Sequence, residues 1–399
     1  MTHILGLTHM GLGRTDDGRF LARCLPGEEV EISENGAIRI VTPSPDRVSP
    51  PCRHYKSCGG CAMQHASDAF VADWKAGVVA KALAAQGLAA EIGEVVTSPE
   101  HSRRRAKFSG RRTKKGTVIG FHTRASDTLS EVSDCRVISP ALRAGLPTLE
   151  ALTRVAASRK SEIGLTVTES LGGLDVHIDT EKELTPELRI ELAEIAGKYG
   201  LARLVWADEP IVTVSAPKQK LGIGQVTPPP GAFLQATQHG EDALVACVRK
   251  IVGNAKSVVD LFSGCGTFSF PLAENAEVHA VEGHADMTEA LHRGWREAQG
   301  LKAITVEARD LFRRPLLPDE LSQFGAAVID PPRAGAEAQI AELASSGISK
   351  IAMVSCNPVT FARDARTLTD AGYSMSKILV VDQFRWSSHV EVVGGFERM

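Results

Sequence analysis

Apolar and polar positions along the chain fall into three regimes. Over residues 1–42, short apolar runs alternate with glycine (Gly6, Gly11, Gly13, Gly18), and in FLARCLPGEEVEI the residues Phe20, Ala22, Val30 and Ile32 alternate with polar positions on either side of Pro26-Gly27. Period-two patterning broken by glycine and proline predicts short antiparallel strands, closed here into a small β-barrel. The segment TPSPDRVSPP, from Thr42 to Pro51, ends it, because repeated prolines cannot donate to a sheet ladder. The next stretch mixes a helical run from Ala66 to Gln86, strand-like alternation over Gly164–Glu169 and Leu174–Ile178, and an amphipathic helix from Pro186 to Lys198 capped by Thr185. A further helical run covers Gln238 to Val252. From Ser257 onward, apolar strands alternate with helices, the pattern of a doubly wound parallel sheet. The expected architecture is α/β in three parts: a barrel at 1–42, a central α+β domain at 43–235, and a Rossmann-like doubly wound domain at 236–399.

Candidate chemistry concentrates at the strand ends of the third part. The apolar run Ile351 to Val354 suits a strand buried on both faces, and Pro358 stops it, which puts Cys356 at the carboxyl end, where open α/β folds hold their ligand crevice. A lone cysteine there serves equally well as a small buried hydrophobe, so the neighbouring motifs decide. In VVDLFSGCGTFSFPLA the glycines follow the strand Val258 to Leu261, and Glu282 in HAVEGH ends the next strand, where a carboxylate accepts both ribose hydroxyls. The two imply an adenosine cofactor. The dinucleotide pattern counted from Gly264 meets Ser269 at its last glycine position, and Asp260 suits a cationic ligand better than a pyrophosphate, which favours S-adenosyl-L-methionine over NAD. Asp310 in EARDLF is expected near the adenine. Asp330 ends a further strand in AAVIDPPRAG, and Arg333 stands where amino-directed methyltransferases carry a stacking aromatic, which leaves carbon methylation. His389 and Glu391, two residues apart in SSHVEVV, share a face if the segment is extended. Gln235 in AFLQAT emerges from a prolyl turn just before a helix.

Cysteines and charge add a second theme. Cys52, Cys58 and Cys61 lie at C-x5-C-x2-C spacing, with Gly59 and Gly60 letting the loop fold tightly, and Cys135 supplies a fourth thiol, enough for zinc or an iron–sulfur cluster. The spacing is not the C-x3-C-x2-C of radical enzymes, so a structural metal is expected. Eight cysteines clustered in this way in 399 residues argue against a disulfide scaffold. Net charge is −3, so overall charge does not announce a nucleic-acid partner. The local distribution does: Arg103, Arg104, Arg105, Lys107, Arg111, Arg112, Lys114 and Lys115 form a block without an acid, suited to phosphates of RNA. Arg14, Arg19 and Arg23 on the barrel read either as a second RNA-facing surface or, at least as well, as solvated arginines of an accessory barrel. No run approaches the ~20 apolar residues that span a bilayer, and the N-terminus is too polar for a secretory signal. A cytoplasmic protein with no membrane and no obligate protein partner is expected.

In this order and over essentially the whole chain, these motifs resemble the RNA uracil-5-methyltransferase family, above all its 23S rRNA members with a TRAM domain, matched by Pro26-Gly27-Glu28, and a [4Fe-4S] cluster. The resemblance is carried by the four cysteines, FLQAT, DLFSGCGTF, Glu282, DPPRAG, SCNP and HVE. It implies that Gln235, Phe262, Thr267, Glu282 and Asp330 line the S-adenosyl-L-methionine site, with Asp310 on its adenine side. It also implies that Cys52, Cys58, Cys61 and Cys135 hold the cluster, that Cys356 adds to C6 of uracil, and that Glu391 removes the C5 proton. Thr267 and Thr237 depart from the family, standing where many relatives have Asn. The expected reaction is C5 methylation of one uridine in 23S rRNA. The same reaction on a tRNA uridine is the alternative, and a non-catalytic iron–sulfur RNA-binding protein is disfavoured by the joint presence of Cys356, Glu391 and Glu282.

Overall fold

The computed structural model describes residues 1–398. The N-terminal strands, Thr2–Leu7, Leu12–Thr15, Phe20–Ala22, Glu29–Ile32 and Ile38–Thr42, form one antiparallel curled sheet in which Phe20–Ala22 and Ile38–Thr42 are the two edges. It is open rather than the closed barrel the patterning suggests. Phe20 is exposed, while Leu21 packs with Ile4, Cys24 and Val30, so the alternation runs one residue out of phase there. Of the three arginines expected to face RNA, Arg19 is paired with Asp17, and Arg23 donates to the Lys56 carbonyl while lying over the Tyr55 ring.

A second sheet of seven strands follows, from Glu209–Thr213 at one edge through Gly173–Asp179, Glu162–Ser170 and Arg105–Thr113 to Leu129–Glu131 at the other. The helices Leu146–Ala156 and Pro186–Tyr199 cover it, with Leu149, Leu152 and Leu192 fully buried against Phe108, Leu165 and Val176. Thr185 caps the second helix as its sequence signals: its hydroxyl accepts from Leu188 N at 3.3 Å.

The third sheet carries the site. Its order runs Ile304–Ala308, Glu277–Glu282, Ser257–Leu261, Ala326–Ile329, Lys350–Ser355, Glu391–Glu397, Ile378–Asp382 and Ile92–Thr97. The first five strands are parallel to one another; Glu391–Glu397 is antiparallel to both neighbours, so the sheet is mixed rather than purely parallel. Strand order reverses between Ser257–Leu261 and Ala326–Ile329, the topological switch point where such folds bind ligands. Its central strands read as unbroken apolar runs because helices press on both faces: Asp68–Ala85, Glu337–Ser345 and Pro358–Asp370 on one, Gln238–Val252 and Ala285–Glu297 on the other. Each Val, Ile or Leu buried in this way contributes about 1.5–3 kcal/mol. The helix Asp68–Ala85 and the strand Ile92–Thr97 come from the N-terminal half, yet they are built into this sheet. Among the described residues, no helix is long and apolar enough to cross a membrane.

One buried ion pair ties the two halves together. Lys75, fully buried on the first helix, places Nζ 2.6 Å from Asp382 Oδ1 and donates to the His389 carbonyl at 2.8 Å. Removing one partner leaves an uncompensated buried charge, a loss of about 3–5 kcal/mol. Asp382→Ala is therefore expected to lower the unfolding free energy by about that much in urea titration, and Lys75→Met likewise, since each leaves the other charge buried and unpaired, whereas the double variant Lys75→Met/Asp382→Ala should cost less than either.

Candidate active site

Cys356 follows the strand Lys350–Ser355 directly. Asn357 then caps the helix Pro358–Asp370, its Oδ1 accepting from Val359 N at 3.1 Å while its Nδ2 donates to the Arg333 carbonyl at 2.9 Å. The strand Glu391–Glu397 lies beside it with Val354 opposite Val393 and Ser355 opposite Val392. Continued one step beyond the last pair, that register sets Cys356 opposite Glu391, and the carboxylate acts electrostatically on the thiol. Glu391 begins its strand, whereas His389 lies in the preceding loop and is exposed, so the two do not share a strand face.

Both groups line a cavity of about 830 Å³, as do Cys52, Cys58, Cys61 and Cys135. Arg333, Arg103 and the rings of Phe233 and Phe384 also face it. Burial pushes the Glu391 carboxyl up to about 8, helped by Asp330, against the Gln383 hydrogen bond and the Arg333 charge. Burial likewise raises the Cys356 thiol to about 11, with Glu391 and Asp330 adding to it and Arg333 opposing.

The expected cofactor residues gather at the same strand ends. Asp260 is fully buried; its Oδ2 accepts from Ser269 Oγ at 2.5 Å, and its Oδ1 has no hydrogen-bond partner among the described residues. Ser263 Oγ is likewise without one. Phe262 turns the chain with φ of 60°, and Gly264 follows at 56°, with nothing within 4 Å of where a Cβ would sit. That turn needs glycine for its conformation and leaves the space beside it open. Thr267 is half-buried in this loop. Glu282 Oε2 accepts from Gly264 N and its Oε1 from His284 N, both at 3.0 Å, so each oxygen keeps a lone pair for a diol. Asp310 is exposed past the end of Ile304–Ala308, and its Oδ1 accepts from Phe312 N at 3.0 Å. Asp330 ends Ala326–Ile329, and burial pushes its carboxyl up to about 7. Gln235 is buried, and its Oε1 accepts from Gln383 Nε2 at 2.6 Å. Orphaned acceptors and a glycine-cleared turn fit a cation-bearing nucleoside such as S-adenosyl-L-methionine.

The metal expectation fares differently. Among the described residues, no three His, Cys, Asp or Glu side chains converge closely enough to hold a metal ion. The four cysteines line the same cavity and lie within electrostatic reach of one another, and burial pushes Cys61 up to about 12. Desolvation favours neutral thiols here, and only thiolates are drawn to a common cation. Two of the sulfurs nevertheless have a backbone donor: Gly60 N–H for Cys58 at 3.4 Å and Val137 N–H for Cys135 at 3.5 Å.

The basic block is also redistributed. Arg104 is buried, 2.5 Å from Glu241 Oε2; Arg105 donates to the carbonyls of Gly231 and Ala232 and stacks on Phe233; Arg103 lies over Phe384. Lys107 and Arg111 pair with Asp179 and Glu162. Arg112, Lys114 and Lys115, at the tip of a hairpin, remain exposed. Two of the eight, Arg103 and Lys107, therefore line the cavity, and Arg104 and Arg105 are held inside the fold instead of in a solvated patch. Gln383 and Phe384, to which sequence reasoning gave no role, lie where VVDQF leaves an apolar strand at its carboxyl end, and that position was the available signal.

Comparison with known proteins decides the family. An uncharacterised RNA methyltransferase of Rhizobium meliloti is 43% identical over 99% of this chain and 98% of its own length. The 23S rRNA (uracil(1939)-C(5))-methyltransferase RlmD of Halomonas elongata is 34% identical, over 97% of this chain and 87% of its own. The chain belongs to the RNA uracil-5-methyltransferase family. The family model for tRNA (uracil-5-)-methyltransferase matches residues 297–397 of this enzyme. The crystal structure of Pyrococcus abyssi tRNA (uracil-54, C5)-methyltransferase with S-adenosyl-L-homocysteine shares the methyltransferase's fold, with a TM-score of 0.74 at 22% identity and 99% of both chains covered.

The raised carboxyls predict a pH dependence of stability. Asp260 and Asp330 sit at about 7 and Glu391 at about 8 in the folded enzyme, against about 4 in an unfolded chain. Between about pH 4 and pH 8 the folded state therefore holds protons the unfolded state has released, and stability falls as pH rises. Asp330→Asn, which cannot ionise, is expected to flatten that decline in urea unfolding at pH 5.5 and pH 8.5. An unchanged slope would show that Asp330 does not titrate in this window.

Proposed function

We propose that this enzyme methylates C5 of one uridine in 23S rRNA, with Cys356 as nucleophile and Glu391 as base. The observation that carries the reading is the register that leads Cys356 and Glu391 to face each other on the wall of a single cavity. RlmD, which resembles this chain along nearly its whole length, supports rRNA over tRNA as the substrate, and a ribosomal substrate puts the enzyme in the cytoplasm. Gln235, Phe262, Thr267, Glu282, Asp310 and Asp330 are assigned to S-adenosyl-L-methionine, which supplies an electrophilic methyl group when bound.

Uracil C5 is a poor nucleophile. Addition of the Cys356 thiolate to C6 converts the ring into an enolate, whose C5 then takes the methyl group. Glu391 removes the C5 proton, and the electron pair of that C–H bond restores the C5–C6 double bond as sulfur leaves. The electrostatics suit this order. Negative charge on Glu391 opposes thiolate formation, so a neutral Glu391 favours the anion at Cys356. Once sulfur is bonded to carbon its charge is gone, and Glu391 ionises more readily when a base is required. The target base has to leave its stack to reach the cavity, where Phe233 and Phe384 offer aromatic faces.

Cys52, Cys58, Cys61 and Cys135 are assigned to a structural [4Fe-4S] cluster. Support comes from their lining one cavity together and from the backbone N–H donors at Cys58 and Cys135, since such donors stabilise thiolate ligands and tune clusters.

Cys356→Ala is expected to abolish methyl transfer while RNA binding persists in a filter assay; retained turnover would remove Cys356 from the mechanism. Glu391→Gln is expected to accumulate a covalent protein–RNA adduct on a denaturing gel. In a strain lacking the gene, 5-methyluridine should disappear from 23S rRNA; loss from tRNA instead would overturn the substrate assignment. Anaerobic purification should give a brown protein with roughly four irons per chain, and Cys135→Ser should lose the colour. Zinc in place of iron would refute the cluster.

A further inference from the structure

We propose that Gln383 is a positioning residue that fixes which end of the Gln235 amide meets the cofactor and, through the same amide group, holds Glu391 ready as a base. The proposal rests on the assignment of Gln235 to the cofactor and Glu391 to proton removal. Gln383 is 1% exposed, immediately after the strand Ile378–Asp382. Its Oε1 accepts from the backbone N–H of Ala236 at 2.7 Å. A backbone N–H can only donate, so this bond settles the amide's orientation and turns Nε2 toward the other two partners.

Nε2 carries two hydrogens and has two acceptors: Gln235 Oε1 at 2.6 Å and Glu391 Oε1 at 3.2 Å. With its oxygen turned to Gln383, Gln235 has its NH2 without a partner among the described residues, an end matched to an acceptor such as the carboxylate of an amino-acid moiety. Its backbone is held as well, because the Gln235 carbonyl accepts from Arg104 Nε at 3.2 Å.

On the other side, Gln383 is the one hydrogen-bond donor to the Glu391 side chain among the described residues. The charged and titratable groups around Glu391 are Asp330 and Arg333 from the end of Ala326–Ile329, Cys356 from the adjacent strand, and His389 from its own loop. None of them donates a hydrogen bond to it. A donor aimed at a carboxylate favours its ionised form, so Gln383 lowers the pH at which Glu391 becomes a base, against the burial that raises it.

Gln383→Met and the isosteric Gln383→Glu test both halves, and thermal melting checks that each variant folds; the Glu variant carries the test if the Met variant does not. Calorimetry with S-adenosyl-L-homocysteine should show affinity reduced about tenfold, the equivalent of one lost hydrogen bond of about 1.4 kcal/mol. The fraction of enzyme trapped as RNA adduct, followed from pH 6 to pH 9, should fall at a midpoint about one unit higher than in the parent enzyme, a shift of the size one lost hydrogen bond gives. A merely structural role would not move that midpoint. Gln235→Ala and Glu391→Gln serve as references. If they lose affinity and adduct resolution respectively while both Gln383 variants match the parent, the role of Gln383 is refuted and the site assignment stands. If the two references are themselves silent, the site assignment fails and the proposal falls with it.

Discussion

The ladder between Lys350–Ser355 and Glu391–Glu397 is the constraint on which the site depends. Side chains alternate along a strand, so a slip of one residue would set Val390 or Val392 against Cys356 in place of Glu391. The register is locked by what presses on the strand. A Cβ at Gly394 would come within 2.8 Å of the Phe361 ring and 2.9 Å of Ile378, and one at Gly395 would meet Ser376 Oγ at 2.9 Å and Ile251 at 3.0 Å. Two glycines with helices close on both faces leave the strand one seat. The thiol and the carboxylate are thus juxtaposed by backbone geometry before any side-chain contact is made.

The loop from Gln383 to Val390 is held from outside the C-terminal sheet. The Trp386 carbonyl accepts from Ala62 N at 2.7 Å and Met63 N at 2.9 Å, Arg385 meets Asp68 and the Ser98 carbonyl, and Lys75 holds the His389 carbonyl. Ala62 and Met63 directly follow Cys61. The segment that carries Cys61 and the loop that leads into Glu391, both of which line the cavity, are therefore joined through a few peptide groups.

Much of this was legible in the sequence where local rules are strong. The cap at Thr185, the glycine turn after Leu261 and the acid at Glu282 all occur where short-range patterning sets them. The conjunction of Cys356 with Glu391 was reachable only by resemblance, since nothing local says that the last strand reverses direction and returns beside Lys350–Ser355. The arginine block misled for a related reason. Charge density along a chain does not say which guanidinium has a buried partner, and Glu241, which receives Arg104, lies far away in sequence. Closure of the first sheet failed for want of a pairing between its edge strands, which a period-two pattern does not encode. Gln383 escaped notice because a single glutamine carries no motif; its role comes from three partners that only the fold assembles.

The strand Ile92–Thr97 lies at the edge of the third sheet, hydrogen-bonded in parallel to Ile378–Asp382. During synthesis it leaves the ribosome long before its partner exists, and it must wait through most of the remaining chain with its backbone groups unpaired. Assembly of this protein therefore finishes at its C-terminus, and a truncated nascent chain has a sticky segment that its own fold has not yet covered. The two halves cannot be cut apart into a portable catalytic module and a separate recognition module, because each contributes a piece of the other's scaffold.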